Sequence, residues 1–180
     1  MAAKKKPNLN VESLHPDFVK FRSKWRVIRD VLGGEEVIKD ACRYYDRRYL
    51  PLPKTEADEL QNAERYEAYL ARAVFYNATG RTLSGLVGQV FSKPPVTTFP
   101  EPVSYLETDP AGSGVTIEQQ AKSVLGGLLS LGRAGLWVDY PTVENGVTKL
   151  EADTGIIRPV ILSYDGDKIL NWRTRKVGAR

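Results

Sequence analysis

TIEQQAKSVLGGLLSLGRAGLWVDYP, residues 116–141, is the stretch that decides the fold class of this chain. Thr116 and Gln119 have the spacing of a capping box, and the apolar residues after them recur at helical intervals as far as Gly132. The short apolar run from Leu136 to Tyr140 then predicts a strand, which the next proline ends. We expect this helix to lie at the centre of the core. The strand follows the helix directly in the chain.

Two further strands are predicted downstream of this stretch. The runs RPVILSY (158–164) and KILNWRT (168–174) are rich in strand-forming residues, and Asp165-Gly166-Asp167 between them predicts a turn. Helices are predicted mainly before these strands. The predicted fold class is therefore α+β, with a predominantly helical N-terminal half followed by a helix and a small β-sheet.

Four helices are predicted before residue 92, each from apolar residues at spacings of three and four. They cover residues 16–32, 35–45, 55–77 and 81–91. Pro16 is favourable at a helix start, and Thr55 with Asp58 resembles a capping box. In the fourth helix, Gly85 and Gly88 leave a shallow strip where another backbone can approach closely.

The chain is predicted to have four parts, without a signal peptide or a membrane-spanning segment. The parts are a flexible basic arm (1–14), a helical region (15–91), a connecting loop (92–115) with a short helical turn at Tyr105 and Leu106, and a helix with a small sheet (116–180). A chain of 180 residues and 20.1 kDa is long enough for one ordinary domain with a real core, or for one domain and a mobile arm.

The charge is unevenly distributed along the chain, although the net charge is only +4. Residues 1–50 carry 12 Lys/Arg against 7 Asp/Glu, residues 51–167 carry 9 against 15, and residues 168–180 carry 5 against none. A basic end on each side of an acidic middle suits electrostatic contact between copies or with a phosphate backbone.

The residue inventory argues against the common catalytic and metal-binding classes. Cys42 and His15 are each the single residue of their type, so no internal disulfide and no zinc site can form from them. The G-x-S-x-G elbow of serine hydrolases does not occur. Gly80 and Gly85 have the spacing of a phosphate-binding loop, but apolar residues follow where Lys and Ser/Thr are needed. We therefore expect neither an enzyme nor a cofactor.

The remaining chemical candidates have ordinary interpretations. Asp165 and Asp167 fit a turn, and the acids at 56–59 fit a helix N-terminus. His15 is expected to cap a helix or to be exposed, and Cys42 to be a small buried residue. Asp139 is the one acid whose burial at a strand end would suggest function, and an exposed strand end is the alternative. An enzyme that uses these carboxylates would need a ligand or metal that the sequence does not indicate.

Two sets of residues are candidates for contacts with other molecules. The segment YYDRRYLPLP (44–53) crowds aromatic, arginine and proline side chains, which indicates either packing on the next helix or a contact-rich connector. The candidate subunit-contact residues are Tyr44, Tyr45, Arg47, Arg48, Tyr49, Tyr66, Leu83, Leu86, Val90 and Phe91. The candidate DNA or phosphate contacts are Lys4, Lys5, Lys6, Arg173, Arg175, Lys176 and Arg180, which would bind nucleic acid without sequence preference.

The order of several segments resembles the N-terminal part of a tailed-bacteriophage portal protein. The segments are HPDFVKFRSKWRVIRDVLGGEEVIKD (15–40), RRYLPLP (47–53), YEAYLARAVFYNATGRTLSGLVGQVFSKPP (66–95), VLGGLLSLGRAGLWVDYP (124–141) and RPVILSYDGDKILNWR (158–173). The resemblance covers about residues 15–175 and depends on many ordinary residues, none of which is diagnostic alone.

This resemblance implies a structural subunit of a homo-oligomeric ring, typically a dodecamer, through which double-stranded DNA is packaged and ejected. It implies the major capsid protein, the terminase and a head-tail adaptor as partners, with the ATPase residing in the terminase. The expected location is the portal vertex of the virion, and the host cytoplasm during assembly. Portal proteins are considerably longer, so the chain would correspond to part of the outer wing region. The alternative function is a non-specific nucleic-acid-binding module with basic termini.

Overall fold

The structure, a computed structural model, describes residues 13–45, 49–51, 59–140 and 157–173. Within these ranges the chain has five α-helices, two β-strands and two short 3-10 helices. The helices are α1 (Pro16–Gly33), α2 (Glu35–Tyr44), α3 (Glu59–Arg72), α4 (Ala78–Val90) and α5 (Ile117–Leu131), and the strands are β1 (Ala134–Asp139) and β2 (Val160–Asp165). The chain is thus α+β and mostly helical, as predicted.

The first two helices follow the sequence pattern closely. α1 begins at Pro16, and Gly34, at φ 88°, separates it from α2. A positive φ of this size is readily adopted by glycine and rarely by other residues, which explains the break at this point. α2 ends at Tyr44, and Tyr45 has an extended backbone instead of continuing the predicted apolar side of the helix.

α3 ends before the C-terminal end of the predicted helix of residues 55–77. Its predicted start at Thr55 and Asp58 lies outside the described residues, and the helix ends at Arg72. Asn77, predicted as the last residue of this helix, instead lies before α4, where its Oδ1 accepts a hydrogen bond from Gly80 N at 2.7 Å. An asparagine side chain that accepts from the first turn caps a helix, so α4 begins at Ala78.

α5 confirms the capping signals of the stretch that decides the fold. Thr116 Oγ1 accepts from Gln119 N at 3.3 Å, and Gln119 Oε1 accepts from Thr116 N at 3.2 Å, which completes a capping box. At the other end Gly132, at φ 77°, donates its N–H to Leu128 O at 2.8 Å. The left-handed glycine terminates the helix and leads the chain directly into β1.

The described sheet consists of β1 and β2, paired antiparallel over six residues. Trp137 lies opposite Leu162, and Val138 lies opposite Ile161. The prediction of a third strand at 168–174 is wrong, because residues 166–168 form a 3-10 helix and residues 169–173 have no regular structure. The carbonyls of Gly166 and Ile169 accept hydrogen bonds from the Arg133 guanidinium, which draws this segment away from the sheet ladder.

The chain divides into two compact units, which differ from the predicted parts 15–91 and 116–180. The helical unit is Lys24–Leu86, and the sheet unit is Met1–Ser23 together with Val87–Arg180. The predicted connecting loop 92–115 belongs to the sheet unit and contains a 3-10 helix, Glu101–Glu107, where a helical turn was predicted. His15 N donates to Leu170 O at 3.0 Å, which ties the start of α1 to the last part of the sheet unit.

Candidate interaction surfaces

The helical unit contains a core cluster that takes in two of the predicted contact tyrosines. Cys42, Tyr66 and Leu70 are buried together, and Tyr49 and Leu50 pack against them. Tyr66 donates its hydroxyl to Leu50 O at 3.0 Å, and Tyr49 donates its hydroxyl to Asp30 Oδ2 at 2.7 Å. Tyr49 therefore packs inside this unit, and Tyr66 offers little surface to a neighbouring molecule.

The other predicted contact residues of the connector differ in their placement. Tyr44 and Tyr45 are 75% and 57% exposed, so their rings are open to contact. Arg47 and Arg48 lie outside the described residues. Cys42, predicted as a small buried residue, is 4% exposed, which confirms that interpretation.

α4 has no buried residue along its whole length. Of the predicted contact residues on or just after it, Leu83 and Phe91 are half-buried, whereas Leu86 and Val90 are exposed. A Cβ added at Gly85 or Gly88 would meet no atom within 4 Å. An amphipathic helix is normally stabilised by burying its apolar face, so α4 presents surface that suits a further partner.

The sheet unit exposes an apolar surface that the sequence did not single out. Leu136, Trp137 and Val138 are consecutive in β1 and more than 60% exposed, and Tyr140 and Tyr164 are about half exposed. A run of apolar residues on both faces of a strand usually indicates a strand buried on both sides. In this chain, however, the apolar side chains of β1 are exposed on both faces of the strand.

A small cleft lies in the helical unit beside the ion pair of Glu35 and Lys39. Its volume is about 180 Å³, and its walls are mainly apolar: Val31, Ile38, Tyr49, Leu50, Ala73, Val74 and Phe75 line it with the ion pair. Lys39 donates to Glu35 Oε1 at 2.6 Å, and Phe75 N donates to Glu35 Oε2 at 3.1 Å. The bond from Lys39 is the main reason why the pKa of Glu35 lies below its usual value. Glu35 therefore joins the segment after α3 to the start of α2.

A cluster around Arg133 organises the sheet unit. The Arg133 guanidinium lies 4.0 Å from the Trp172 ring, and it donates to Gly166 O at 2.6 and 2.8 Å and to Ile169 O at 2.7 Å. Burial lowers the pKa of Arg133, but an arginine stays charged at neutral pH. This cluster joins the start of β1 to the chain after β2. In the sequence, the feature that could have indicated this cluster is Arg133 itself, the one charged residue between α5 and β1.

His15 belongs to the same part of the sheet unit and has a capping role, as predicted. Its Nδ1 accepts a hydrogen bond from Asp17 N at 3.1 Å, and its ring stacks on Trp172 at a centroid distance of 3.7 Å. Both contacts fix the start of α1, and neither involves a group that the imidazole could activate as a nucleophile. The ring thus contributes to structure.

A second polar cluster joins the 3-10 helix Glu101–Glu107 to the start of β2. Arg158 pairs with Asp109 Oδ2 at 2.5 Å and stacks on Tyr105, whose hydroxyl donates to Pro159 O at 2.8 Å. The pKa of Asp109 is lowered chiefly because Gly114 N donates to its carboxylate, with Arg158 as a further cause. This carboxylate organises the loop before α5.

The remaining predicted candidates are Asp139 and the residues of the basic termini. Asp139 is exposed, in agreement with the strand-end alternative, and its carboxylate accepts from Tyr140 N at 3.0 Å. Among the described residues no group of three or more His, Cys, Asp or Glu side chains could hold a metal ion. Arg173 is exposed. The other candidate DNA contacts, Lys4, Lys5, Lys6, Arg175, Lys176 and Arg180, lie outside the described residues.

Comparison of the sequence with protein-family models and with curated proteins yields no match. In the part of the chain that the structure describes, no helix has both the length and the apolar character needed to cross a membrane.

Proposed function

We propose that the chain is a structural subunit of a homo-oligomeric assembly, in which neighbouring copies cover its exposed apolar surfaces. The observation that supports this most is α4, thirteen residues long and without a buried residue, whose exposed side chains include Leu86 and Val90. In water, most of the stability of a helix this short comes from packing of its apolar face. A partner that packs on the exposed face of α4 would supply the apolar burial that the described residues do not provide.

The exposed surface of the sheet unit supports the same proposal independently of α4. Large apolar side chains there are open on β1, and Leu128 and Leu129 on α5 are also exposed. Contiguous apolar surface of this kind on a soluble protein usually marks a site of protein contact. A closed homo-oligomer uses such a surface once in every copy.

The finer proposal is that this assembly is a tailed-bacteriophage portal, the head-tail connector ring. It depends on the resemblance of residues 15–175 to the N-terminal part of portal proteins. The chain would then form a wing-type part of a ring of about twelve copies, through which double-stranded DNA is packaged and ejected. The capsid protein, terminase and head-tail adaptor would be its partners, at the portal vertex of the virion and in the host cytoplasm during assembly.

The proposal is tested by the mass and the shape of the protein in solution. Sedimentation equilibrium over a wide concentration range should give a mass many times 20.1 kDa, and electron microscopy should then show closed rings with a central opening. A well-folded monomer at the highest concentration would overturn the whole proposal. Oligomers without ring closure would overturn the portal and leave the homo-oligomer.

The mass measurement should be paired with a change on α4. Leu86→Lys places an ammonium group on the exposed apolar face and should shift the mass toward the monomer, because a charge buried in an interface without a partner is costly. Val96→Lys is the control, since Val96 is 97% exposed and lies outside the helices and strands. Equal masses for the two variants would count against α4 as a contact surface.

A further inference from the structure

The two strands of the described sheet differ in the hydrogen bonds that their outer edges make. On β2, Ile161 N donates to Pro110 O at 2.7 Å, and Ile161 O accepts from the Gln120 side chain at 2.6 Å. These two bonds occupy backbone groups of β2 beyond the ladder. β1, in contrast, pairs only with β2 within the described residues, so in that part of the chain its other edge is open.

Among the residues that the structure describes, none of the usual features that protect an edge strand is found at the open edge of β1. Edges are commonly blunted by a lysine, a proline, a bulge or a covering loop. The β1–β2 register runs unbroken over six residue pairs, without a bulge. The one charged residue in the strand is Asp139, at its last position. An extended chain could therefore align along β1 without meeting a charge until the end.

The side chains at this edge are apolar on both faces of the sheet. Successive strand residues point to opposite faces. Trp137, 61% exposed, therefore lies on one face, and Leu136 and Val138, 62% and 67% exposed, lie on the other. An added strand could thus bury apolar surface above and below the sheet as well as pair its backbone.

The exposed apolar area at this edge is a substantial part of what a contact between copies needs. An aromatic side chain offers about 150–250 Å² when fully exposed, so Trp137 and Tyr140 together still expose roughly 200 Å². Leu136, Val138 and Tyr164 add to this area. A standard stable interface takes about 800 Å² from each partner, and these five residues supply a substantial part of it.

We propose that an extended segment of a second copy of this chain adds to β1 as a third strand. Backbone hydrogen bonds along the open edge would give this contact its direction, and Trp137 and Val138 would anchor it on the two faces. The inference rests on the proposed homo-oligomer and names one of its contact surfaces. α4 and β1 would then be two separate surfaces of the subunit.

The test compares Val138→Lys with Val96→Lys in the full chain. The first places a lysine on the open edge, and the second makes the same change at a fully exposed position outside the helices and strands. Val138→Lys should weaken self-association by about tenfold or more, because an ammonium group is poorly accommodated in an apolar interface. Val96→Lys should leave the dissociation constant as in the wild type.

Hydrogen exchange of wild-type protein supplies the second measurement, which does not depend on how well a variant folds. The β1 amides should exchange more slowly in the assembled protein at high concentration than in dissociated protein at low concentration. Protection of β1 that is equal at both concentrations would mean that the chain covers its own edge, and would overturn the inference. Protection that appears only when another protein is added would overturn it as well.

The outcomes separate this inference from the proposed function. If the wild type assembles and both lysine variants assemble equally well, the β1 contact is wrong and the homo-oligomer stands. If the wild type stays monomeric, both proposals fail. Circular dichroism of Val138→Lys should match the wild type, and a loss of its helix signal would transfer the decision to the hydrogen-exchange measurement.

Discussion

The helical unit and the sheet unit are stabilised in different ways. In the helical unit the buried apolar side chains are Trp25, Ile38, Ala41, Cys42, Tyr66 and Leu70. In the sheet unit, which has more described residues, the corresponding buried side chains are Phe18 and Leu131, together with the fully buried Pro110. The sheet unit therefore gains less from apolar burial within the described chain.

Polar side chains that donate to backbone carbonyls take a larger part in the sheet unit. Arg133 donates to Gly166 O and Ile169 O, Gln120 to Ile161 O, and Tyr105 to Pro159 O. Each such bond adds about 1 kcal/mol net and specifies position more than it adds stability. The sheet unit thus leaves the apolar surface of β1 exposed, whereas the helical unit buries a cluster of apolar side chains although it also exposes α4.

Leu70→Ala should have the largest effect on the difference between the two units, because it removes a buried side chain from the helical unit. Leu70 is fully buried beside Cys42 and Tyr66, so its truncation leaves a cavity and should lower the free energy of unfolding by about 2–5 kcal/mol. Hydrogen exchange should show the loss of protection in Lys24–Leu86 before it appears in β1 and β2. Denaturant unfolding measures the size of the effect.

The control for this change is Leu86→Ala on α4. Leu86 is exposed, so the same truncation should alter the free energy of unfolding of the dissociated chain by about 0.5 kcal/mol or less. Similar losses for the two variants would mean that the Leu70 cluster is not the main core of the helical unit.

Gly166→Ala tests the polar organisation of the sheet unit. A Cβ at this position would lie 2.5 Å from Arg133 Cγ and 2.6 Å from Arg133 O, far inside normal contact. The backbone oxygen cannot move away easily, so the variant should be destabilised by about 1–3 kcal/mol, as in other overpacked sites. Near-ultraviolet circular dichroism should also change, because Trp172 lies on the Arg133 guanidinium.

The control for Gly166→Ala is Gly126→Ala, in the middle of α5. A Cβ there would meet nothing within 4 Å, and alanine favours a helix over glycine by up to about 1 kcal/mol. The two glycine-to-alanine changes should therefore have opposite signs in denaturant unfolding. If Gly166→Ala leaves the free energy of unfolding unchanged, the Arg133 cluster can rearrange at little cost and does not fix the segment after β2.

The helix ends show how far local signals determined the fold. The capping box at Thr116 and the end of α5 at Gly132 depend on a few neighbouring residues, and both positions were predicted from the sequence. The end of α3 was not, because Asn77 has the right spacing for a helix stripe and also the right side chain for an N-cap. Its bond to Gly80 N, within the next helix, decided between the two.

The third predicted strand failed for a reason that is not local. KILNWRT has strand-forming residues, but Arg133, more than 30 positions earlier, binds the carbonyls of Gly166 and Ile169. The same limit applies to the candidate surfaces. The predicted contact residue Tyr66 is buried in its own unit, and the exposure of β1 was not predicted. Whether an apolar strand faces solvent depends on how many strands and helices cover it, which periodicity does not contain.

Asp109→Asn has the smallest expected effect, and its sign depends on pH. The folded-state pKa of Asp109 is lowered, first by the bond from Gly114 N, so the folded chain favours the charged carboxylate more than the unfolded chain does. This contribution to stability is fully present above the unfolded pKa of about 3.9, and it is lost as the pH falls through the lower folded value. The amide introduced by the substitution cannot titrate, so the wild type should be the more stable protein near pH 7.

The difference in stability between wild type and Asp109→Asn should therefore shrink steadily below about pH 4. Urea unfolding of both proteins at several pH values measures it, with Asp139→Asn as the control, because the Asp139 carboxylate is exposed at the end of β1. A gap that stays constant down to the lowest pH would mean that the asparagine disturbs the loop sterically, and that the carboxylate charge is not what holds Gly114 and Arg158 in place.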